Sequence, residues 1–484
     1  MSTTDDQLKK VISHAKEYGF VFQSSELYDG LGAVYDYGQN GVELKNNIKQ
    51  YWWKSMVQMN QDIVGIDSAI FMHPKIWKAS GHVDGFNDPM IDNKDSKKRY
   101  RADVIIEEHI ESIRESGDAA RADAVEKAFA DAQVSEDLGE LKGLIESEKI
   151  QCPVSKTCNW TDVRQFNLMF STQMGALSED SDELYLRPET AQGIFVNYLN
   201  VQKTSRMKIP FGIAQIGKAF RNEIVARQFI MRMREFEQME MQFFVRPGTE
   251  MEWFEHWKAE RQSWHLRLGI SEDHYRIHEH TKLAHYANAA VDIEYKFPFG
   301  FKEVEGIHSR TDFDLSQHQE FSGKKIQYFD PEINKNYTPF VVETSIGVDR
   351  MFLLLMCSAL TEETIEKEDR TETRTVLKIM PPLAPYKAAI LPLTKKDGLP
   401  EKGKDIAKML MADHNIYFEV KDSIGKRYRR QDAIGTPFCI TVDYDTLNDN
   451  TVTVRHRDSM EQERVPISAL AKLIDDKVNM RNLL

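Results

Sequence analysis

The sequence predicts an α+β protein: an antiparallel sheet flanked by helices, with a helical insertion and a C-terminal α/β domain. Three observations carry this. From Phe166 to Phe244, short apolar stretches such as FNLMF, IAQIGKAF and EMQFFV follow one another like antiparallel strands with one buried face. Between about Asp92 and Asp162 the texture turns charged, Ala-rich and helix-prone, as an inserted subdomain would. Beyond the proline-dense linker IMPPLAPYK, strand-like and helix-like segments alternate, the grammar of a small domain with a partly parallel sheet. At 484 residues the chain exceeds the roughly 250–300 that one core sustains. The expected division is 1–91, 92–162 (insertion), 163–378 and 383–484.

Taken in order, YGFVFQSSELYDGLGAVYDY (18–37) is aromatic and glycine-rich, and GVELKNNIKQYWWKSMVQ has apolar residues at helical spacing. DIVGIDSAIFMHP reads as a strand of β-branched residues ending at Pro74, which lacks the N–H a ladder needs. In the insertion, IIEEHIESIRE and ADAVEKAFADA are amphipathic runs. A helix is expected around Met251–Leu268, a strand at Phe340–Ile346, and a helix over DRMFLLLMCSAL. The last domain is read from KAAILPL, the helix in GKDIAKMLMADHN, IYFEVKD, a turn-rich basic stretch, PFCITVDYD and NTVTVRHRD.

Composition removes several function classes. No window approaches the roughly 18 consecutive apolar residues that span a bilayer, and the N-terminus lacks the basic-then-apolar order of a signal peptide, so a cytoplasmic protein is expected. Four cysteines are too few for a disulfide scaffold and fit a reducing compartment. A net charge of −13 excludes a generic nucleic-acid coat but not a local basic face. Cys152 and Cys158 lack two further ligands at suitable spacing, so zinc is not expected.

Two constellations point to chemistry. In Phe220–Phe244, Arg221 and Glu223 form R-x-E, and a loop then leads to Arg232, Arg234, Phe236, Gln238 and Glu240 at period-2 spacing. Charges and an aromatic ring thereby converge on one hairpin face, which is costly to bury without a ligand. In VVETSIGVDR, Glu343, Ser345 and Gly347 share a strand face that ends where a helix starts at Asp349 and Arg350. Gly347 permits close approach to the backbone, and Arg350 offers a rigid donor fork to a phosphate.

These segments resemble motifs 2 and 3 of class II aminoacyl-tRNA synthetases, and the helix-strand stretch ending at Pro74 resembles motif 1. The closer resemblance is to glycyl-tRNA synthetases: HPKIWKASGHVDGFNDPM, RYRADVIIE, RQFNLMF, YLRPETAQGIF, EVEGIHSRTDFDLSQH and VVETSIGVDR read like that family in order, over nearly the whole chain. The resemblance implies ATP-dependent activation of glycine, transfer to the 3′ end of tRNA, and a homodimer. It implies ATP contacts from Arg221, Asn222, Glu223, Met231, Arg232, Phe236, Glu303, Val304, Gly347 and Arg350, with Arg221, Arg350 and Glu240 catalytic. The glycine contacts implied are Arg101, Glu189, Phe236, Glu240, Glu343, Ser345 and Gly347, with Arg310 a further candidate. Mg²⁺ would accompany the ATP, with Glu303 and Glu343 as candidate ligands.

The C-terminal part resembles an anticodon-binding domain. Lys426, Arg427, Arg429 and Arg430 around Tyr428, joined by Arg455 and Arg457, are expected to form a basic patch with a stacking ring for tRNA. CPVSKTCNW lacks the tight Cys-x-x-Cys pairs of some relatives. A non-catalytic binding protein on the same scaffold would be free to lose Arg221, Glu223, Phe236, Arg350, Glu189 and Ser345, all of which are present. A synthetase for another small amino acid would carry other residues in place of RPETAQG and ETSIG.

Overall fold

The computed structural model describes residues 3–135, 137–175, 182–223, 228–280, 283, 286–367 and 370–484. The chain forms two compact units. One comprises Met1–Ser68, Thr190–Lys218 and Phe236–Leu484; the other comprises Ala69–Glu189 and Ala219–Glu235.

The first unit is built on a seven-stranded sheet in the spatial order Tyr275–Glu279, Ala289–Phe297, Gly300–Thr311, Phe340–Gly347, Glu235–Val245, Phe211–Phe220, Ile63–Gly65. The pairing of Glu235–Val245 with Phe340–Gly347 is antiparallel and places Gln238 opposite Gly347, Glu240 opposite Ser345 and Gln242 opposite Glu343. The short Ile63–Gly65 strand adds in parallel at the edge. Its strand partner Phe211–Phe220 and the helix Ala191–Ser205 supply Phe211, Ile213, Phe195 and Tyr198 to a core with Phe244, Leu315 and Val341. The Tyr198 and Phe244 ring centroids are 4.6 Å apart, and each such ring contributes about 1.5–3 kcal/mol by leaving water. Helix Val348–Ala359 is buried along almost its entire length, which explains why its sequence is apolar all round rather than striped.

The C-terminal residues of this unit form a five-stranded sheet, Ile416–Phe418, Ala388–Pro392, Phe438–Val442, Thr451–His456, Gln462–Pro466. Ala388–Pro392 is parallel to both neighbours, as the strand-helix alternation predicts. IMPPLAPYK is not a loose linker. Pro382, Leu383 and Ala384 are buried, and Asn47 Nδ2 donates to the Leu383 and Ala384 carbonyls at 3.1 and 3.0 Å.

In the second unit, the helices Ala102–Glu115, Ala119–Ser135 and Leu138–Ser147 pack Ile106, Ile110, Val125, Phe129 and Ile145 around Tyr100 and Trp160. A three-stranded sheet, Lys98–Arg101, Asn87–Asn93, Arg164–Asn167, accompanies them. The helical insertion is therefore present, with strands at its borders.

Three local expectations fail. Pro74 does not end a strand: it opens the helix Pro74–Ala79 at its first position, where the missing N–H costs nothing. Arg221 and Glu223 do not share a strand face, because the strand stops at Phe220; likewise Arg232 and Arg234 precede the strand that begins at Glu235. The basic stretch near Tyr428 is a helix, Ile424–Ile434, closed by Gly435 in the left-handed region at φ 86°.

Candidate active site

In the first unit, the strand register brings Glu240 and Ser345 side by side. Ser345 Oγ donates to Glu240 Oε1 at 2.8 Å, Thr190 Oγ donates to Oε2, and Gln238 Nε2 lies 3.4 Å from Oε1. Glu240 is 3% exposed. These donors are neutral hydroxyl and amide groups. Gln238 Oε1, two residues along the same strand face, is buried with no hydrogen-bond partner among the described residues. A buried acceptor left unmatched costs about 1–3 kcal/mol, which a ligand donor would recover.

Glu343, two positions before Ser345, has different company. Gln242 Nε2 donates to its Oε2 at 2.6 Å, His308 Nδ1 meets Oε1 at 2.8 Å, and Arg310 Nη1 reaches both oxygens at 3.2 and 3.1 Å. Arg310 also forks onto Asp314 at 2.8 and 3.1 Å. Asp314 accepts from Gln192, whose Oε1 meets His318, and the Arg310 guanidinium sits 4.1 Å over the Tyr286 ring. Burial alone would make Arg310 easier to deprotonate, but the Asp314 and Glu343 charges hold it well above its ordinary range. Burial would likewise lower His308, and Glu343 more than offsets that, leaving it raised. Both oxygens of Glu343 are thus engaged by Arg310, Gln242 and His308. Arg310 thereby links Glu343 to Asp314.

Gly347 caps the helix start at φ −82°, and a Cβ there would meet only the Arg350 side chain, at 3.5 Å, so the space beside it is lined by that arginine. Arg350 Nη1 pairs with Glu303 Oε2 at 2.9 Å. Phe236 is half-buried at the start of its strand. Val304 is a core residue, 1% exposed, so any ATP contact there would use its backbone.

The second unit collects the remaining expected residues. Arg221 Nε donates to the Pro188 carbonyl at 3.1 Å, its guanidinium stands 5.4 Å from the Phe86 ring centre, and its backbone N–H bonds to Arg234 O at 2.9 Å. The Asn222 N–H bonds to Leu168 O at 2.8 Å, and Arg234 Nε donates to Glu223 O at 2.9 Å, so side-chain and backbone bonds fix this segment without a ladder. Met231 closes a 3₁₀ turn, Phe229–Met231, and is buried. Arg101 Nη1 lies 3.2 Å from Asp88, and its Nε donates to Asp103 at 3.1 Å. Burial pushes the Asp88 carboxyl up to about 6 even with Arg101 beside it; the Asp103 and Glu223 charges add to the rise, and Arg232 opposes it. Glu189 lies 3.4 Å from His82 Nε2, with 15% of its side chain exposed.

Asp88, Thr190 and His308 take part in these clusters, and sequence reasoning missed their roles. Asp88 and His308 sit inside segments quoted for their resemblance; Thr190 directly follows Glu189 in RPET. Only the register of folded strands reveals which of them touch.

The cations of the expected basic patch at the C-terminus mostly have partners within the fold. Arg427 is fully buried, donating to the Pro392 and Glu419 carbonyls at 2.8 and 3.0 Å, and burial lowers its pKa. Tyr428, half-buried, packs on Ala389, Leu391 and Cys439, and its hydroxyl bonds Thr441 at 2.6 Å. Arg455 forks onto buried Asp432 at 2.8 and 3.0 Å, and Arg457 donates to the Ile379 and Gly435 carbonyls. Arg430 pairs with Glu419 at 2.7 Å and Asp422 at 3.0 Å, and Arg429 with Glu372 at 3.1 Å. Lys426 is exposed.

No group of three or more His, Cys, Asp or Glu among the described residues is arranged to hold a metal ion. Mg²⁺ held mainly by a polyphosphate needs only one or two carboxylates, and Glu303, 45% exposed at its side chain, fits that role. No described helix is long and apolar enough to cross a membrane.

Comparison with known proteins adds the following. A family profile described as tRNA synthetase class II core domain (G, H, P, S and T) matches residues 170–359, and an anticodon binding domain profile matches 387–477. Glycyl-tRNA synthetase insertion domain 1 matches 88–123 and 116–168. The chain is 53% identical over 473 residues to a glycine–tRNA ligase of Chlorobaculum tepidum, covering 97% of this chain and 100% of that one. It is 54% identical over 470 residues to the glycine–tRNA ligase of Staphylococcus epidermidis (97% and 98%), and 52% identical over 476 residues to that of Macrococcus caseolyticus (98% and 99%).

Proposed function

The chain belongs to the glycine–tRNA ligase family, and from that membership we infer that it joins glycine to ATP as glycyl-adenylate and then transfers glycine to the 3′ end of its tRNA. In the first step a glycine carboxylate oxygen attacks the α-phosphorus, the bond to the β-phosphate oxygen breaks, and pyrophosphate leaves. In the second, the terminal ribose hydroxyl displaces AMP from the mixed anhydride. The carboxylate is already ionised at neutral pH, so positioning and charge neutralisation supply the rate. Arg221 and Arg350 are the residues assigned to the phosphates, Phe236 to the adenine ring, and Asn222, Glu223, Met231, Arg232, Val304 and Gly347 to the rest of the nucleotide. Bound Mg²⁺ would add charge neutralisation on the polyphosphate, with Glu303 as its carboxylate.

Recognition of glycine reduces to recognition of a bare ammonium in a space too small for a side chain. The observation that carries this reading is the buried Glu240 carboxylate, bonded by Ser345 and Thr190 and lying beside the Gln238 oxygen, which has no hydrogen-bond partner among the described residues. An ammonium brings a positive charge to the carboxylate and a donor to the Gln238 oxygen. Glu189 and Arg101 are assigned to the same substrate. Since every rival amino acid is larger, overpacking of about 1–3 kcal/mol rejects alanine without an editing site.

The domain limits 1–91, 92–162, 163–378 and 383–484, a homodimer, and a cytoplasmic location belong to this proposal. Exposed Leu27, Tyr28 and Leu31 support a subunit contact, and four unpaired thiols support a reducing compartment. Lys426, Arg427, Tyr428 and Arg429 are the proposed anticodon-side segment, with Lys426 its exposed cation. ATP–pyrophosphate exchange with each of the twenty amino acids tests the assignment: exchange with glycine alone is expected, and a preference for alanine or serine would overturn it.

A further inference from the structure

We propose that Asp349, fixed by Lys45 and Tyr37, is a positioning residue that sets Phe236 and Arg350 for ATP, a proposal that rests on the ATP-binding roles assigned above to those two. Asp349 is the second residue of helix Val348–Ala359 and is 3% exposed. Its Oδ1 accepts from Lys45 Nζ at 2.8 Å and from the Tyr37 hydroxyl. Its Oδ2 accepts the backbone N–H of Glu237 at 2.8 Å. Glu237 directly follows Phe236, and Asp349 directly precedes Arg350, so one carboxylate ties together the backbone beside both nucleotide contacts.

The place of the Glu237 bond explains its use. The ladder between Glu235–Val245 and Phe340–Gly347 ends with Gln238 opposite Gly347, because the chain then turns into the helix. Glu237 lies one residue beyond that last pair and would present an N–H with no strand carbonyl opposite. The Asp349 carboxylate supplies the missing acceptor and prolongs the order of the strand toward Phe236.

Lys45 and Tyr37 hold the carboxylate from the far side. Lys45, from helix Gln39–Trp53, also pairs with Glu237 Oε2 at 3.0 Å and stands 4.1 Å over the Tyr37 ring; Lys49 pairs with Glu237 Oε1 at 3.2 Å. Two ammonium groups thus face two carboxylates, and the cluster balances its charge. Burial would lower the Lys45 pKa, but Asp349 and Glu237 outweigh it and keep the lysine charged. Burial and the Asp349 charge hold the Tyr37 hydroxyl protonated as a donor. The buried anion therefore has one available arrangement, and the residues on either side inherit it.

The test is ATP–pyrophosphate exchange by D349N, K45M, Y37F and R350A, with rates expressed per active site from a burst titration and thermal unfolding recorded alongside. Expected is a rise of about tenfold or more in KM for ATP in D349N and K45M, a smaller rise in Y37F, and a change below about threefold in KM for glycine, since sub-ångström misplacement of a contact is felt where that contact acts. If D349N does not fold, K45M and Y37F decide the matter. Unchanged KM and kcat per active site, with only a lower Tm or fewer active sites, would overturn the positioning role. R350A with an unchanged KM for ATP would instead remove the reading of the site on which the proposal stands.

Discussion

Glu240 and Glu343 lie on neighbouring strands of one sheet, both 3% exposed, yet their surroundings differ in kind. Glu343 is paired with a guanidinium that is itself forked onto Asp314, so its charge is neutralised within the fold. Glu240 takes hydrogen bonds from the Ser345 and Thr190 hydroxyls, beside the Gln238 amide oxygen, which has no donor among the described residues. A buried carboxylate matched by a fixed cation has its charge met within the fold, whereas an amide oxygen without a donor beside a second carboxylate has something to gain from a donor that arrives.

The comparison can be broken from either side. E240Q removes the carboxylate charge and should lower kcat/KM for glycine in exchange by about a thousandfold, roughly 4 kcal/mol, with near-normal stability; a loss under tenfold would place the ammonium elsewhere. R310M leaves Glu343 and Asp314 buried without their cation and should cost about 3–5 kcal/mol of stability by denaturant unfolding, with a smaller effect on KM for glycine in the folded fraction. Q238M removes the unmatched acceptor while keeping bulk, and should raise KM for glycine about tenfold, read by the same exchange assay. The smallest effect concerns pH. Because the folded-state pKa of His308 is raised, its contribution to stability is complete below the ordinary value of 6.5 and is lost as pH rises through the folded value. H308N should therefore show less loss of stability above pH 6.5 than the parent, measured as Tm against pH.

Much of this was legible in the sequence, for identifiable reasons. The Phe236, Gln238, Glu240 face and the Glu343, Ser345, Gly347 face were visible because strand alternation is local, and the antiparallel register then placed Glu240 against Ser345. Strand ends were not visible: Arg221 and Glu223 keep their alternation on paper but lie beyond Phe220, where side-chain bonds to Pro188 and Glu223 carbonyls fix the path. The N-terminal helix Thr3–Glu17 and the hairpin of Leu360–Lys367 with Arg370–Leu377 also went unread; the hairpin's strands are mostly charged and Thr-rich, with few apolar residues to mark an alternation. What meets Glu343 was not legible, because charge in a sequence does not say which charges pair. Its partner Arg310 lies more than thirty residues away.

The same lesson shapes how the C-terminal domain meets a polyanion. Arg427, Arg455 and Arg457 spend their donors on carbonyls and on Asp432, so they displace no condensed counterions when a phosphate chain docks. Each cation withdrawn in this way takes about 0.7–0.9 from the steepness with which log affinity falls against log salt concentration. Attachment of tRNA at this domain should accordingly tolerate rising ionic strength better than a count of its arginines suggests.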